Sequence, residues 1–383
     1  MKVPLSGAWI SSKEKEYVLE VLESGILSMG RFTQAFENQM AQFTGRKYAI
    51  AVSSGTAGLF LVLKSLGIGS NDEIITTPFS FISSANVIIH ADGLPVFADI
   101  SHETLCIDPD NIEELIAENY KKTADGLKNK ETGRMLKGIL PVDIFGIMPD
   151  YERINKIAED NGLFVLEDSC EALGSEYGSL KAGSLGIASV LAFYPNKQIT
   201  TGEGGMILTD DSTVAHTCRA LRNQGRSTMD LWLEHSLLGY NFRTDEMSTA
   251  VGVAQMERID QILHKRDKAA EYYNTQFSRD SYITLPPMNQ FGRTGWFVYV
   301  IQVDSNKRNR LMHYLIDRNI SVRPYFTPIH LQKHYSRTYS YKPGDYPVTE
   351  SVADRTLAIP FHSLISREEQ DYVIHTIREF FNG

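Results

Sequence analysis

Between Lys47 and about Thr209, short apolar runs alternate with amphipathic stripes, and this alternation restricts the fold more than any other feature of the chain. The runs lie at 48–52, 73–76, 138–142, 163–166, 189–193 and 205–208. Each is too short for a stable helix and carries few polar residues, as a strand covered on both faces must. Helical stripes fill the intervals. In 151–162, Ile154, Ile157 and Ala158 share one face, and Asn161-Gly162 supplies a stop. Buried strands alternating with helices predict an α/β fold of βαβ units with a mostly parallel central sheet and flanking helices.

The flanks add detail. Ser11 and Glu14 have capping-box spacing, Tyr17, Val18, Val21 and Leu22 form a stripe, and Gly25 can end that helix. Residues 118–137 are charged and lack apolar periodicity, which predicts a helix end followed by an exposed loop. Near Asn241 the pattern changes: one long helix is expected over 245–277, then strands at 296–303 and 320–323 around a helix at 306–318. A last helix opens at Ser366 with Glu369 three residues on. The division expected is a large α/β domain over 1–245, with the N-terminal helix free to pack on the small domain, and a smaller C-terminal α+β domain over 246–383.

A length of 383 residues suits that division. The net charge of −9 argues against a general binder of nucleic acid or of anionic membranes. Three scattered cysteines, Cys106, Cys170 and Cys218, make neither a disulfide framework nor a metal site. The N-terminus lacks a signal-peptide core and no run is long enough to span a bilayer, so a cytoplasmic location is expected.

Three features follow predicted parallel strands, where open α/β sheets bind ligands. Ser53-Ser54-Gly55-Thr56-Ala57-Gly58 joins a strand to a helix. Small residues there let backbone N–H groups approach a phosphate, although any tight strand-to-helix turn also favours them. Glu167-Asp168 ends a buried run, where a carboxylate needs a partner: a helix end, an internal cation, or the pyridine nitrogen of pyridoxal phosphate (PLP). Lys197 follows the run at 189–193 and precedes Gly202-Glu203-Gly204-Gly205. A partly desolvated lysine there could carry a cofactor covalently, whereas most loop lysines are solvated charges.

In combination these segments resemble the DegT/StrS family of sugar aminotransferases, within the fold-type-I PLP enzymes. The resemblance runs from Ser24-Gly25-Ile26-Leu27-Ser28-Met29-Gly30 through SSGTAG, FSFISSAN, EDSCEALGS and FYPNKQITTGEGG to GYNFR at 239–243, and on to Arg323–His330. It implies PLP as cofactor, Lys197 as the Schiff-base lysine and proton shuttle, and Asp168 as partner of the pyridine nitrogen. By the same resemblance Glu171 lies near the ring hydroxyl, where many relatives have Gln or His. Gly55 and Thr56 hold the phosphate, and Phe81 stacks on the ring, against its default as a core aromatic. Asn241 reaches the phosphate of a neighbouring subunit in a homodimer with shared sites. Arg243 and His330 are candidate sugar contacts, with structural hydrogen bonds as the competing role.

The implied reaction moves an amino group from L-glutamate to a ketone of a nucleotide-linked deoxysugar, and the 196–205 segment is more similar to relatives acting at C4 than at C3. One departure is Ala192, where relatives commonly offer a serine to the phosphate. The alternatives are a sugar dehydratase of the same family, whose members carry His at the place of Lys197, and a non-catalytic PLP-fold regulatory protein. A desulfurase-like reading lacks a cysteine beyond Cys218.

Overall fold

The computed structural model describes residues 1–226 and 234–383. Its strands, in chain order, are β1 (Tyr48–Val52), β2 (Asp72–Thr76), β3 (Leu94–Phe97), β4 (Tyr120–Thr123), β5 (Gly126–Asn129), β6 (Met135–Leu140) and β7 (Phe164–Asp168). These are followed by β8 (Glu176–Tyr177), β9 (Leu180–Lys181), β10 (Ala188–Ala192), β11 (Gly205–Thr209), β12 (Tyr299–Gln302) and β13 (Thr356–Ile359). The central sheet has the order β1-β11-β10-β7-β6-β2-β3, with the β4–β5 hairpin added beside β6. Pairing is parallel from β10 to β3, and only β11 runs against its neighbours β1 and β10. The carboxyl ends of β1, β10, β7, β6 and β2 therefore share one edge of the sheet.

The buried strands are nearly continuous apolar runs because helices cover both faces. Helix Gly55–Ser65 lays Leu59, Val62 and Leu63 on one face, while Ile154, Ile157 and Ala158 of helix Tyr151–Asn161 cover another part of the sheet. That helix ends at Gly162 in the left-handed conformation (φ 66°), where the amide donates back to Ala158 and Glu159. The capping boxes expected at Ser11/Glu14 and Ser366/Glu369 are both formed.

Several expectations are corrected. Residues 118–137 are not a helix end and loop. They close helix Pro109–Asn119 and then form the β4–β5 hairpin, anchored where Tyr120 Oη, Asn129 Nδ2 and Thr132 Oγ1 donate to the buried Glu73 carboxylate at 2.6, 2.9 and 2.7 Å. The single helix expected over 245–277 is two, Glu246–Met256 and Ile259–Phe277, broken at Glu257-Arg258. The strand expected at 320–323 is reduced to isolated bridges at Ile320 and Arg323.

Packing changes hands within helix Ile259–Phe277. Ile259, Ile262 and Leu263 join a core with Phe32, Phe36 and Met40 of the N-terminal segment. Ala269, Ala270, Tyr273 and Phe277 join a second core with β12, β13 and helix Arg367–Asn382. Val3 belongs to this second core, so the chain's start is tied to its C-terminal third.

Helix Arg31–Thr44 begins at Gly30 without a side-chain cap of its own. Glu246 supplies one from the other end of the sequence. Its buried carboxylate accepts from the amides of Gly30, Phe32 and Thr33 at 2.8, 2.8 and 2.9 Å and from the Thr33 hydroxyl. Removing it leaves buried donors unpaired at a helix N-terminus. Glu246→Ala is expected to destabilise the protein by about 3 kcal/mol in chemical denaturation. A loss within about 0.5 kcal/mol, the range of an ordinary surface change, would show that water replaces the cap.

Candidate active site

The cluster forms on the shared carboxyl edge of the sheet. β7 ends on Asp168, and alternation along the strand sends its neighbour Glu167 the other way. Glu167 accepts from Ser169 Oγ and from the amides of Gly183 and Leu185 at 2.8, 2.5 and 2.9 Å, so it holds a turn and faces no ligand. Asp168 is 3% exposed. Its Oδ2 accepts from Ser84 Oγ at 2.7 Å and its Oδ1 from the Cys170 amide at 3.2 Å. Asp168 caps no helix, and no ion pair joins it to a cation among the described residues.

Lys197 stands in the loop after β10, next in the sheet to β7. Its Nζ lies 3.3 Å from Glu171 Oε1, with both side chains largely withdrawn from solvent. The amine also sits 3.8 Å from the centre of the Phe297 ring. Glu171 Oε2 accepts from the Phe145 amide at 3.0 Å. Burial pushes the Glu171 carboxyl above its usual range, and the Lys197 charge and the Phe145 amide pull it back. Gln198 braces the same loop, donating to the carbonyls of Glu171 and Gly295 at 2.7 and 2.6 Å.

Gly55 joins the third feature to these two. The helix begins at Gly55 itself, with Ser54 Oγ accepting from the Ala57 amide at 3.1 Å. A Cβ on Gly55 would fall 2.7 Å from Cys170 Sγ and 2.9 Å from Ala192 Cβ, so no larger residue fits. The first-turn amides, which have no intrahelical acceptor, are thereby drawn in between the ends of β7 and β10. Thr56 beside it is exposed.

The DegT/DnrJ/EryC1/StrS aminotransferase family model matches residues 9–378. The chain belongs to this family. It is 36% identical to the Bacillus subtilis spore coat polysaccharide biosynthesis protein SpsC, over 100% of this chain and 97% of that protein. It is 33% identical to GDP-perosamine synthase of Escherichia coli O157:H7, over 99% of each. Among solved structures it is similar to Helicobacter pylori PseC, an aminotransferase involved in pseudoaminic acid biosynthesis (TM-score 0.91, 28% identity, 100% of each chain). Members of the family are PLP-dependent sugar aminotransferases, and this enzyme is one of that class.

The residues present suit the cofactor. A buried carboxylate without a cation, a withdrawn lysine amine and a helix start cleared of side chain at Gly55 meet the needs of a pyridine nitrogen, an aldehyde and a phosphate. Phe81 is 57% exposed and so is no core aromatic; it lies one helical turn before Ser84, the partner of Asp168. Ala192 is held against the start of the phosphate-binding helix and brings no hydroxyl.

The remaining expected residues are more scattered. Phe242 accepts from the Ser53 amide at 2.9 Å, which sets the segment of Asn241 and Arg243 beside the phosphate turn. Asn241 is exposed, whereas Arg243 Nη1 donates to Asn223 Oδ1 at 2.8 Å. His330 is closed off. It is 0% exposed, its Nε2 lies 3.0 Å from Glu350 Oε1, and Tyr341 and Tyr346 stand edge-on to its ring. This is the structural hydrogen bond that competed with a sugar contact. Burial lowers the proton affinity of its imidazole, against the pull of Glu350.

Sequence reading missed Ser84, Gln198, Phe297 and Arg266. Ser84 was within reach, because FSFISSAN offers a hydroxyl one turn beyond Phe81. Phe297 and Arg266 meet Lys197 only through tertiary packing and leave no local signal.

Proposed function

We propose that this enzyme, as a cytoplasmic homodimer with shared active sites, carries an amino group from L-glutamate to the C4 ketone of a nucleotide-linked deoxysugar. The observation that carries the reading is the withdrawn Lys197 amine, 3.3 Å from Glu171, on the sheet edge where Asp168 and Gly55 also stand. The nucleotide link is supported by the relative named GDP-perosamine synthase, and C4 by the resemblance of the 196–205 segment.

When bound, PLP supplies an electron sink that makes a proton on the adjoining carbon removable. Asp168 holds a proton on the ring nitrogen by its charge, and Ser84 and the Cys170 amide fix its two oxygens. Gly55 and Thr56 offer first-turn amides to the phosphate. Phe81 covers one face of the ring and excludes water there. Lys197 first anchors the cofactor. Once freed, its Nζ takes the proton from the α-carbon of the donor, and in the return half-reaction it delivers a proton to the sugar carbon that receives nitrogen. Glu171 keeps that amine aimed into the site. Arg243 contacts the sugar nucleotide if its bond to Asn223 opens. His330 contributes by holding the wall near the sugar through Glu350.

The deciding assay supplies L-glutamate with a panel of nucleotide-linked 4-keto and 3-keto deoxysugars and measures 2-oxoglutarate and amino sugar. Amination of 4-keto substrates by the wild type, with none by Lys197→Ala, is expected. Amination confined to 3-keto sugars would overturn the ring position, and no 2-oxoglutarate would overturn the donor.

Asn241 is read as completing the partner's phosphate site, so activity belongs to the dimer. Mixing inactive Lys197→Ala with an inactive Asn241→Ala protein is expected to restore activity, because half of the sites in mixed dimers escape both lesions. Absence of recovery despite proven subunit exchange would contradict a shared site.

A further inference from the structure

Arg266 is a buried cation that pairs with carbonyls only. It is 2% exposed, and its Nη1 donates to the carbonyls of Trp296 and Phe297 at 3.2 and 3.1 Å. Its Nη2 donates to the carbonyl of Lys197 at 3.0 Å. Burial without a counter-charge lowers the guanidinium pKa to about 10. An uncompensated buried charge is costly, so the three carbonyls it binds mark the segments it has to hold. Two of those carbonyls belong to Phe297 and Lys197. Their side chains meet again above the fork, where the Lys197 amine stands 3.8 Å from the ring centre. One planar guanidinium thus sets both the backbone position of the working lysine and that of the aromatic face against its amine.

We propose that the face of Phe297, held in register by Arg266, seats the Lys197 ammonium whenever that amine is not bonded to the cofactor. The proposal rests on Lys197 as the working amine of the transamination read above, and takes that reading to the interval in which the lysine carries a proton. An aromatic ring attracts a cation through its quadrupole, more strongly where water is excluded, and Phe297 is 2% exposed. The charged and titratable groups around the amine are the Glu171 carboxylate at 3.3 Å and the Cys170 thiol, which burial holds neutral. Glu171 attracts the ammonium from one side as the ring does from another. In this arrangement Phe297 stabilises the proton-loaded lysine, and Arg266 is a positioning residue acting through the Lys197 and Phe297 carbonyls.

The test uses the full-length protein stripped of cofactor and needs no substrate, so its outcome is independent of whether the transamination assay succeeds. Phe297 is replaced by mono-, di- and trifluorophenylalanine, which keep the ring's shape while draining its negative face. Acetic anhydride then labels the protein at fixed neutral pH, and the rate at the Lys197 peptide is read by mass spectrometry. Only the neutral amine is acylated, so a weaker hold on the ammonium gives faster labelling. A graded rise is expected, reaching about 2- to 30-fold over the series. Phe297→Leu should label faster as well, and the fluorinated proteins keep the test valid should that variant fold poorly. In Arg266→Lys, which keeps the charge but loses the planar fork, the fluorine dependence should flatten. A flat series in the wild-type background would overturn the seat, and a full slope in Arg266→Lys would remove Arg266 from it.

Discussion

A carboxylate buried at the end of a parallel strand must be compensated, and the site is arranged around that of Asp168. Its backbone is fixed twice: Val190 of β10 is its register partner, and it exchanges hydrogen bonds with the β6 side, its amide to Pro141 and its carbonyl from Asp143. Its oxygens are fixed by Ser84 and the Cys170 amide. No free rotation is left, so the position of the negative charge is set before any ligand arrives. Such preorganisation is what an electrostatic role requires, since nothing then has to reorganise during the reaction. The neighbouring β10 delivers Lys197, and Gly55 closes the gap from β1 by packing between Cys170 and Ala192. Three loops converge because three parallel strands end together.

The smaller domain is part of this site. Arg266 comes from the helix on which packing changes hands, and Phe297 from the segment leading into β12. Both bear on Lys197, which belongs to the large domain's sheet edge. Glu246 works in the opposite direction, capping an N-terminal helix from the start of the C-terminal half. The two halves are therefore coupled by buried ionised side chains bonded to backbone groups. Such bonds are directional, and unlike apolar contact they penalise small shifts.

How much of this was legible depended on range. The strands of the sheet core were readable because each apolar run is complete within a few residues, and the helix caps because Ser11/Glu14 and Ser366/Glu369 act over three positions. The Lys197, Asp168 and Gly55 loops could be found from their order along the chain. The β4–β5 hairpin was not readable, since its strands are charged and their anchor is Glu73, some fifty residues earlier. The break at Glu257-Arg258 carries neither proline nor glycine; Arg258 is drawn instead to Glu14 and the Trp9 carbonyl. His330 shows the same limit, because its motif could not announce Glu350 or the tyrosines that enclose it.

The account turns on one amine. Borohydride reduction of the holoenzyme makes the link between cofactor and protein permanent, and peptide mass spectrometry locates it. The cofactor's mass on the peptide containing Lys197, absent in Lys197→Ala and lost when L-glutamate is added before the reductant, is the predicted result. Cofactor fixed to another lysine, or fixed equally well after glutamate, would contradict the assignment of Lys197 as anchor and proton carrier.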